Sequence, residues 1–234
     1  MVAVALQYQI YYDMRTKQTI AIIGATGNMG AAISKSLSKG NYRLLLFTND
    51  NKSKLKNLET EIINAYPGAD VESINCSYTA SWEADVIILA VPFAAEKEVA
   101  EKIREVANQK IVISIANPLN ETYDGLVTAP DTSAAEELQK LLPHSRIIKA
   151  FNTTFAADFA QPVIDGKKVD AFVAGNDSDA LETVKELVQA AGFNPVMAGD
   201  LSVSRILENM QLLLIRMGIK YNYNGLAGWK ILHQ

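Results

Sequence analysis

Cysteine, histidine and tryptophan are scarce, with one, two and two residues in a chain of 234. The lone Cys76 rules out an intrachain disulfide framework and fits a reducing cytoplasm. His144 follows Pro143 at a turn, and His233 is next to last. Neither has a Cys, His or carboxylate at ligand spacing, so no metal site is expected, and His144 reads as a surface residue rather than a catalytic one. Positive charge is also in deficit, with 22 Lys and Arg against 26 Asp and Glu for a net charge of -4. That argues against nucleic acid or an anionic membrane as the main partner, since either needs a clustered basic face. No apolar run approaches the roughly 18 residues of a membrane span. With 49 % hydrophobic and 21 % charged residues, what remains is an ordinary globular composition, long enough for one α/β domain and a small appendage.

The stretch Thr19-Ile-Ala-Ile-Ile-Gly-Ala-Thr-Gly-Asn-Met-Gly30 organises the rest. Ile20 to Ile23 is a short β-branched run that suits one buried strand, and a helical pattern follows through Ile33 and Leu37 to Gly40. Gly24 permits a tight exit from the strand, Gly27 lets the backbone approach a pyrophosphate, and Gly30 lets the helix pack on the strand. The helix amino terminus then offers free N–H groups and a positive dipole end to phosphates. A second strand follows over Arg43 to Thr48, and this strand–turn–helix–strand context reads as dinucleotide binding. In such folds an acid at the second strand's end selects the ribose 2′-OH of NAD. Here the end reads Thr48-Asn49 and Lys52 opens the next helix, which favours the 2′-phosphate of NADP, while Asp50 leaves NAD open.

Further strands are expected at Val71–Cys76, Ala84–Val91, Lys110–Ala116, from Arg146, at Ala171–Gly175 and at Gly192–Val196. Cys76 is expected in or near the core at the third strand's end. The fourth strand is apolar after Asp85, as in a parallel strand buried on both faces, and its exit Ala90-Val91-Pro92 should border the cofactor cleft. Asn117-Pro118 ends the fifth strand, and the loop Leu119 to Thr132 is long enough for a substrate lid. Ser133 with Glu136 forms a capping box. The sixth strand runs through Ala150 to Asn152, whose amide suits a nicotinamide carboxamide or simply ends the strand. A final helix over Leu201 to Met217, with Ile206, Leu207, Met210, Leu213, Leu214 and Met217, is too apolar for a solvated surface and is expected to stop at Gly218.

Taken in order, Gly24-Ala-Thr-Gly-Asn-Met-Gly30, Ala90-Val-Pro92, Asn117-Pro118, Ser133-Ala-Ala-Glu136, Lys149-Ala-Phe-Asn152-Thr, Val173-Ala-Gly175 and Ser204-Arg205 resemble the NADPH-dependent oxidoreductases of the 8-hydroxy-5-deazaflavin coenzyme F-420. They are also similar to the cytoplasmic reductase domain of the six-transmembrane metalloreductases. The likeness spans about residues 19 to 232. Asn49 stands where the deazaflavin enzymes typically carry an arginine, and Phe151-Asn152 is nearer the metalloreductase branch.

The resemblance implies an α/β fold with a Rossmann-type doubly wound, mainly parallel sheet and a small C-terminal helical extension. Residues 1–18 would be a disordered leader, with Met14 an alternative start, 19–200 the NADP-binding domain, and 201–234 a helix and tail at the substrate cleft or a dimer contact. Besides the glycines, Thr26, Asn28 and Met29 would touch the pyrophosphate, and Thr48 and Asn49 the 2′-phosphate. Pro92, Asn117 and Asn152 would meet the nicotinamide half, beside Ala90, Val91, Pro118 and Ala150. It further implies a homodimer and direct hydride transfer to a small planar acceptor, a deazaflavin or flavin, with no dedicated acid–base residue. No tyrosine is followed by lysine four positions on, which excludes the tyrosine–lysine pair of short-chain reductases. A non-catalytic NADP(H)-binding redox sensor is the alternative function.

Overall fold

In the computed structural model the described residues are 17–232. Ile20 to Ile23 are buried in β1 (Gln18–Ile23), which has a parallel neighbour on each side. The expected leader stretch 1–18 falls largely outside the described residues, but Gln18 already belongs to β1 and Lys17 pairs with Asp70 at 3.2 Å. From β1 the chain climbs one way through α1 (Asn28–Leu37), β2 (Tyr42–Phe47), α2 (Lys52–Ala65) and β3 (Asp70–Ser73). It then returns through α3 (Ser77–Glu83) to β4 (Val86–Leu89) on β1's other side, and continues by α4 (Phe93–Ile103), β5 (Ile111–Ser114), α5 (Ala134–Leu141) and β6 (Arg146–Lys149). The direction of winding reverses between β1 and β4, where open α/β sheets bind ligands.

Past β6 the main chain turns at Phe151, a buried non-glycine residue at φ 59°. A 3-10 turn (Ala156–Phe159) and a hairpin of β7 (Val163–Ile164) and β8 (Lys167–Lys168) follow, before β9 (Asp170–Gly175) joins β6 antiparallel. After α6 (Ser178–Ala190), β10 (Asn194–Gly199) completes the order β10-β9-β6-β5-β4-β1-β2-β3. The α/β, doubly wound, mainly parallel expectation therefore holds, with β6–β9 as its antiparallel seam.

Strand periodicity divides the core between the two faces. Ile20, Ile22, Leu44, Leu46 and Ile88 pack with Ile33, Leu37 and Val184 on one side. Ala21, Ile23, Leu45, Ile87 and Leu89 meet Val99, Ile103 and Leu138 on the other.

Three expectations change. The sixth strand ends at Lys149, and Ala150 to Asn152 lie in the turn beyond it, where the positive φ of Phe151 breaks the strand. The third strand stops at Ser73, and α3 starts after Cys76, which is exposed at the helix's N-cap rather than in the core. Backbone N–H groups of Thr79, then Tyr78, hold its thiol below the ordinary range. Helix α3 buries only small side chains, Ser77, Ala80 and Ser81, so no apolar stripe announces it. The last helix, α7 (Ser204–Tyr221), runs through Gly218 and ends at Asn222 in a left-handed conformation, φ 58°. A glycine inside an otherwise favourable helix costs only about 1 kcal/mol and does not by itself stop it.

Candidate functional site

Every parallel strand from β2 to β6 ends on one edge of the sheet, so topology sets the expected residues in a row. Across that edge come Thr48 and Asn49 after β2, Gly24 to Met29 after β1, Ala90 to Pro92 after β4, Asn117 and Pro118 after β5, and Ala150 to Asn152 after β6.

The glycine turn is pinned by Phe47, whose carbonyl accepts from Gly24 N–H at 2.9 Å and Ala25 N–H at 3.0 Å. Gly24 sits at φ 90°, and a Cβ there would overlap the Ala90 carbonyl. A Cβ on Gly30 would overlap the Gly24 carbonyl oxygen, so internal packing dictates both glycines. Gly27 is different. Its φ is -70°, and an added Cβ would lie 3.4 Å from Gly24 O, an ordinary contact. Among the described residues nothing demands glycine there, and the open position fits a cradle for a group arriving from outside. Gly27 is also the N-cap of α1, with no side-chain cap and no acid in the first turn, so helix-end N–H groups are left for an anion. Asn28 is exposed beside it, while Met29 leans on the core. Thr26 and Thr48 share a hydroxyl–hydroxyl bond of 2.8 Å that ties the turn to β2's end. Asn49 and Lys52 are exposed, and Asn51 caps α2 by accepting from Lys54 N–H at 2.8 Å.

On the far side of β1, Ala90 N–H donates to Ile23 O at 2.8 Å, Val91 is half-buried, and Pro92 is the exposed N-cap of α4. Asn117 and Asn152 clasp each other: Asn117 Nδ2 donates to the Asn152 carbonyl at 2.8 Å, and Asn152 Nδ2 donates to Asn117 Oδ1 at 2.9 Å. Asn152 is 1 % exposed and its Oδ1 is a buried acceptor without a partner among the described residues. Such an orphan carries a desolvation cost of about 1–3 kcal/mol that an incoming N–H donor relieves. Pro118 is buried, and Ala150 N–H reaches back to Ser114 O at 3.3 Å.

Sequence reasoning missed the layer that carries these ends. Lys149, the last residue of β6, is fully buried, with its Nζ 2.6 Å from Glu208 Oε1 of α7 and bonded to the Ala116 carbonyl next to Asn117. Glu208 also accepts from Ala134 N–H at 3.0 Å, so it caps α5 together with Ser133. Glu96 of α4 lies in the same interior, 3.3 Å from Ser114 Oγ, and burial raises its carboxyl to about 7 against the pull of Lys149. One turn along α7, Arg205 grips Glu136 through two bonds, Nε to Oε2 at 2.9 Å and Nη2 to Oε1 at 2.5 Å. A lysine inside the apolar run Ile147-Ile148-Lys149-Ala150 was the available signal; its partner lies 59 residues away.

His144 is exposed and lends only its carbonyl, to Gln109 N–H at 2.7 Å, and His233 lies outside the described residues. Among the described residues no cluster of three or more His, Cys, Asp or Glu could hold a metal ion, and no helix is long and apolar enough to cross a membrane.

An α/β fold with an uncapped glycine turn and, further along the same sheet edge, a pair of mutually bonded asparagines defines the class. A family profile described as NADP oxidoreductase, coenzyme F420-dependent, matches residues 19–118. The F420-dependent NADP reductase of Methanocaldococcus jannaschii is 31 % identical over 215 residues, 88 % of this chain and 95 % of that one. The chain belongs to this F420-dependent NADP oxidoreductase family. The rat metalloreductase STEAP3 is 30 % identical over 106 residues, 45 % of this chain and 21 % of that protein. Among solved structures, a protein from Arthrobacter sp. FB24 described as a putative F420-dependent NADP reductase superposes with a TM-score of 0.78 at 24 % identity over 92 % of this chain and 99 % of that one. An imine reductase from Myxococcus stipitatus shares the fold at a TM-score of 0.64 and 11 % identity, with this chain spanning 64 % of it.

Proposed function

We propose that this chain is an NADP(H)-dependent oxidoreductase that passes a hydride between nicotinamide and a planar deazaflavin or flavin acceptor. Gly27 carries the reading: it is a glycine that internal packing does not require, at an uncapped helix N-terminus on the sheet's binding edge. Gly24 to Met29 would close around the diphosphate, while Thr48, Asn49 and Lys52 would receive the 2′-phosphate without an opposing carboxylate at the strand end. Ala90 to Pro92, Asn117, Pro118, Ala150 and Asn152 would border the nicotinamide half. There the unpartnered Asn152 Oδ1 fits a carboxamide N–H donor, because Asn152's own amide is committed to Asn117.

The hydride is chemistry that bound NADPH supplies; the protein's part is to align two rings and keep water out. NADPH, oxidised acceptor and one solvent proton give NADP+ and reduced acceptor, so charge and hydrogen balance without an acid–base side chain at the site. Stopped-flow oxidation of bound NADPH with deazaflavin, FMN, FAD and quinones tests it, with fastest turnover expected for the deazaflavin. Tight nucleotide binding with no turnover by any acceptor would overturn the enzyme reading in favour of a redox sensor.

The oligomer is inferred to be a homodimer. Ile206, Met210, Leu213 and Met217 recur along one side of α7, with Ile206 62 % and Leu213 51 % exposed, a stripe that suits a second copy of the same helix. Light scattering of Leu213→Glu should give half the wild-type mass; an unchanged mass removes this interface. The exposed, unpaired Cys76 supports a reducing, cytoplasmic setting.

A further inference from the structure

The paired register of β5 and β6 ends at Ser114 and Lys149, which face each other, and the next backbone bond, from Ala150 N–H to Ser114 O, is already long at 3.3 Å. Past that point the two chains are joined, among the described residues, by three side-chain bonds. Lys149 Nζ donates to Ala116 O, Asn117 Nδ2 to Asn152 O at 2.8 Å, and Asn152 Nδ2 to Asn117 Oδ1 at 2.9 Å. The placement of Asn117 against Asn152 is therefore set by side chains, and Lys149 supplies the first of the three bonds.

Three helices support that lysine. Its ammonium lies 2.6 Å from Glu208 Oε1 of α7, with both side chains fully buried. Glu208 in turn accepts from Ala134 N–H, in the first turn of α5, at 3.0 and 3.2 Å through its two oxygens. Strand partners in register project to one face of a sheet, so Ser114 stands beside Lys149 on the face that α4 and α5 cover. There Ser114 Oγ meets Glu96 Oε1 at 3.3 Å, in the first turn of α4 behind Pro92. Stability alone gives no reason for such an arrangement, because replacing a buried ion pair by apolar side chains of similar volume is often neutral or stabilising. A lysine does one thing here that an apolar residue of its length does not: it bonds a carbonyl beyond the ladder's end, one residue before Asn117.

We propose that Lys149, with Glu208 behind it, is a positioning residue for hydride transfer: it fixes Asn117 against Asn152 and so holds Asn152 Oδ1 where the nicotinamide carboxamide docks. The proposal rests on the reading that this end of the sheet edge takes the nicotinamide half. Fully buried, Lys149 acts through Asn117 rather than by touching cofactor or acceptor. Its effect should therefore fall on the ring and its reactivity and spare the adenosine and phosphate end of the cofactor.

The double variant Lys149→Met, Glu208→Leu removes the bond to Ala116 without leaving either partner alone in the interior. Fluorescence anisotropy decay of bound NADPH reads the mobility of the reduced nicotinamide, and titration with 2′-phospho-ADP-ribose, which lacks that ring, reads the rest of the site. In wild type the ring should tumble with the protein. In the double variant it should move independently, and single-turnover NADPH oxidation by a deazaflavin should slow by about 100-fold, the order expected for a misplacement of about 1 Å. Binding of 2′-phospho-ADP-ribose should stay close to wild type. Asn117→Ala, at a half-buried position, is the second variant; it should release the ring likewise and add little when combined with the first two substitutions, since all act on one contact. A ring that stays fixed in the double variant, or in Asn117→Ala whether or not the double variant folds, overturns the proposal. So does an equal weakening of 2′-phospho-ADP-ribose, which would make the pair part of general folding. A ring already mobile in wild type would refute the placement of the nicotinamide and the proposal with it. A ring released by the substitutions in a protein that turns over no acceptor would retain the positioning role and refute hydride transfer instead.

Discussion

At the β1 end of the binding edge the candidate site is made of main chain and missing side chains, whereas at the β5 and β6 end it rests on buried charge. Gly24, Gly27 and Gly30 work by what they lack: two make room for the protein's own backbone and one leaves room for something else. Ala116, next to Asn117, is by contrast held by Lys149, which pairs in turn with Glu208, itself bonded to Ala134 N–H. A steric cradle is specified over seven consecutive residues, from Gly24 to Gly30. The charged support draws on α4, β5, β6, α5 and α7 and exists only once all five have packed.

Removing charge from one partner at the second end should break the comparison most severely. Lys149→Met leaves the buried Glu208 carboxyl without its partner, a situation that costs about 3–5 kcal/mol. Urea unfolding should record that loss, and pairing it with Glu208→Leu should recover most of it. Failure of the double variant to recover would mean that the pair contributes more than charge balance.

The pH dependence of stability is the next largest effect. Burial raises the folded Glu96 carboxyl from 4.5 to about 7, with Lys149, Ser114 and Glu208 facing it from β6, β5 and α7. Below pH 4.5 the group is protonated folded and unfolded; between there and about 7 the unfolded chain ionises first. Stability should therefore fall as pH rises through that window, by about 3 kcal/mol, and level off above it. Asp158, raised to about 6 by burial, adds a smaller decline at lower pH. Glu96→Gln should flatten the upper part of the profile, whereas an unchanged slope would locate the proton elsewhere.

At the glycine end, Gly27→Val should sharpen the contrast by separating folding from binding. Thermal unfolding should move little, since the new Cβ meets only an ordinary contact, while the NADP dissociation constant rises by about 100-fold, or about 2.7 kcal/mol. Gly30→Val should instead damage folding itself, because its Cβ strikes the Gly24 backbone. The smallest effect is expected from Arg205→Ala, which removes a partly buried clasp on Glu136; its urea midpoint should shift less than that of any variant above.

The same contrast decides what could be read in advance. The turn, the strands feeding it, the Ser133–Glu136 cap and the NADP-favouring end of β2 are local patterns of spacing and residue type. Helix α3 escaped because its buried face is serine and alanine, and Cys76 was misplaced with it. In α7 the apolar count held in part, since Leu207 and Leu214 are buried. The buried face includes Ser204, Glu208 and Gln211, while Ile206 and Leu213 face outward. Hydrophobicity predicts burial only until a helix must answer charges on its neighbours.

From residue order alone come the parallel α/β scaffold, its binding edge and the glycine cradle, since 2.0 and 3.6 periodicities and short turns are set by neighbours within a few positions. Tertiary structure alone determined that Lys149 would meet Glu208 and that Asn152 would give its amide to Asn117 and keep its oxygen without a partner among the described residues. These depend on side chains brought together across tens of residues, where partner choice follows from packing and from the cost of leaving a buried polar group unpaired.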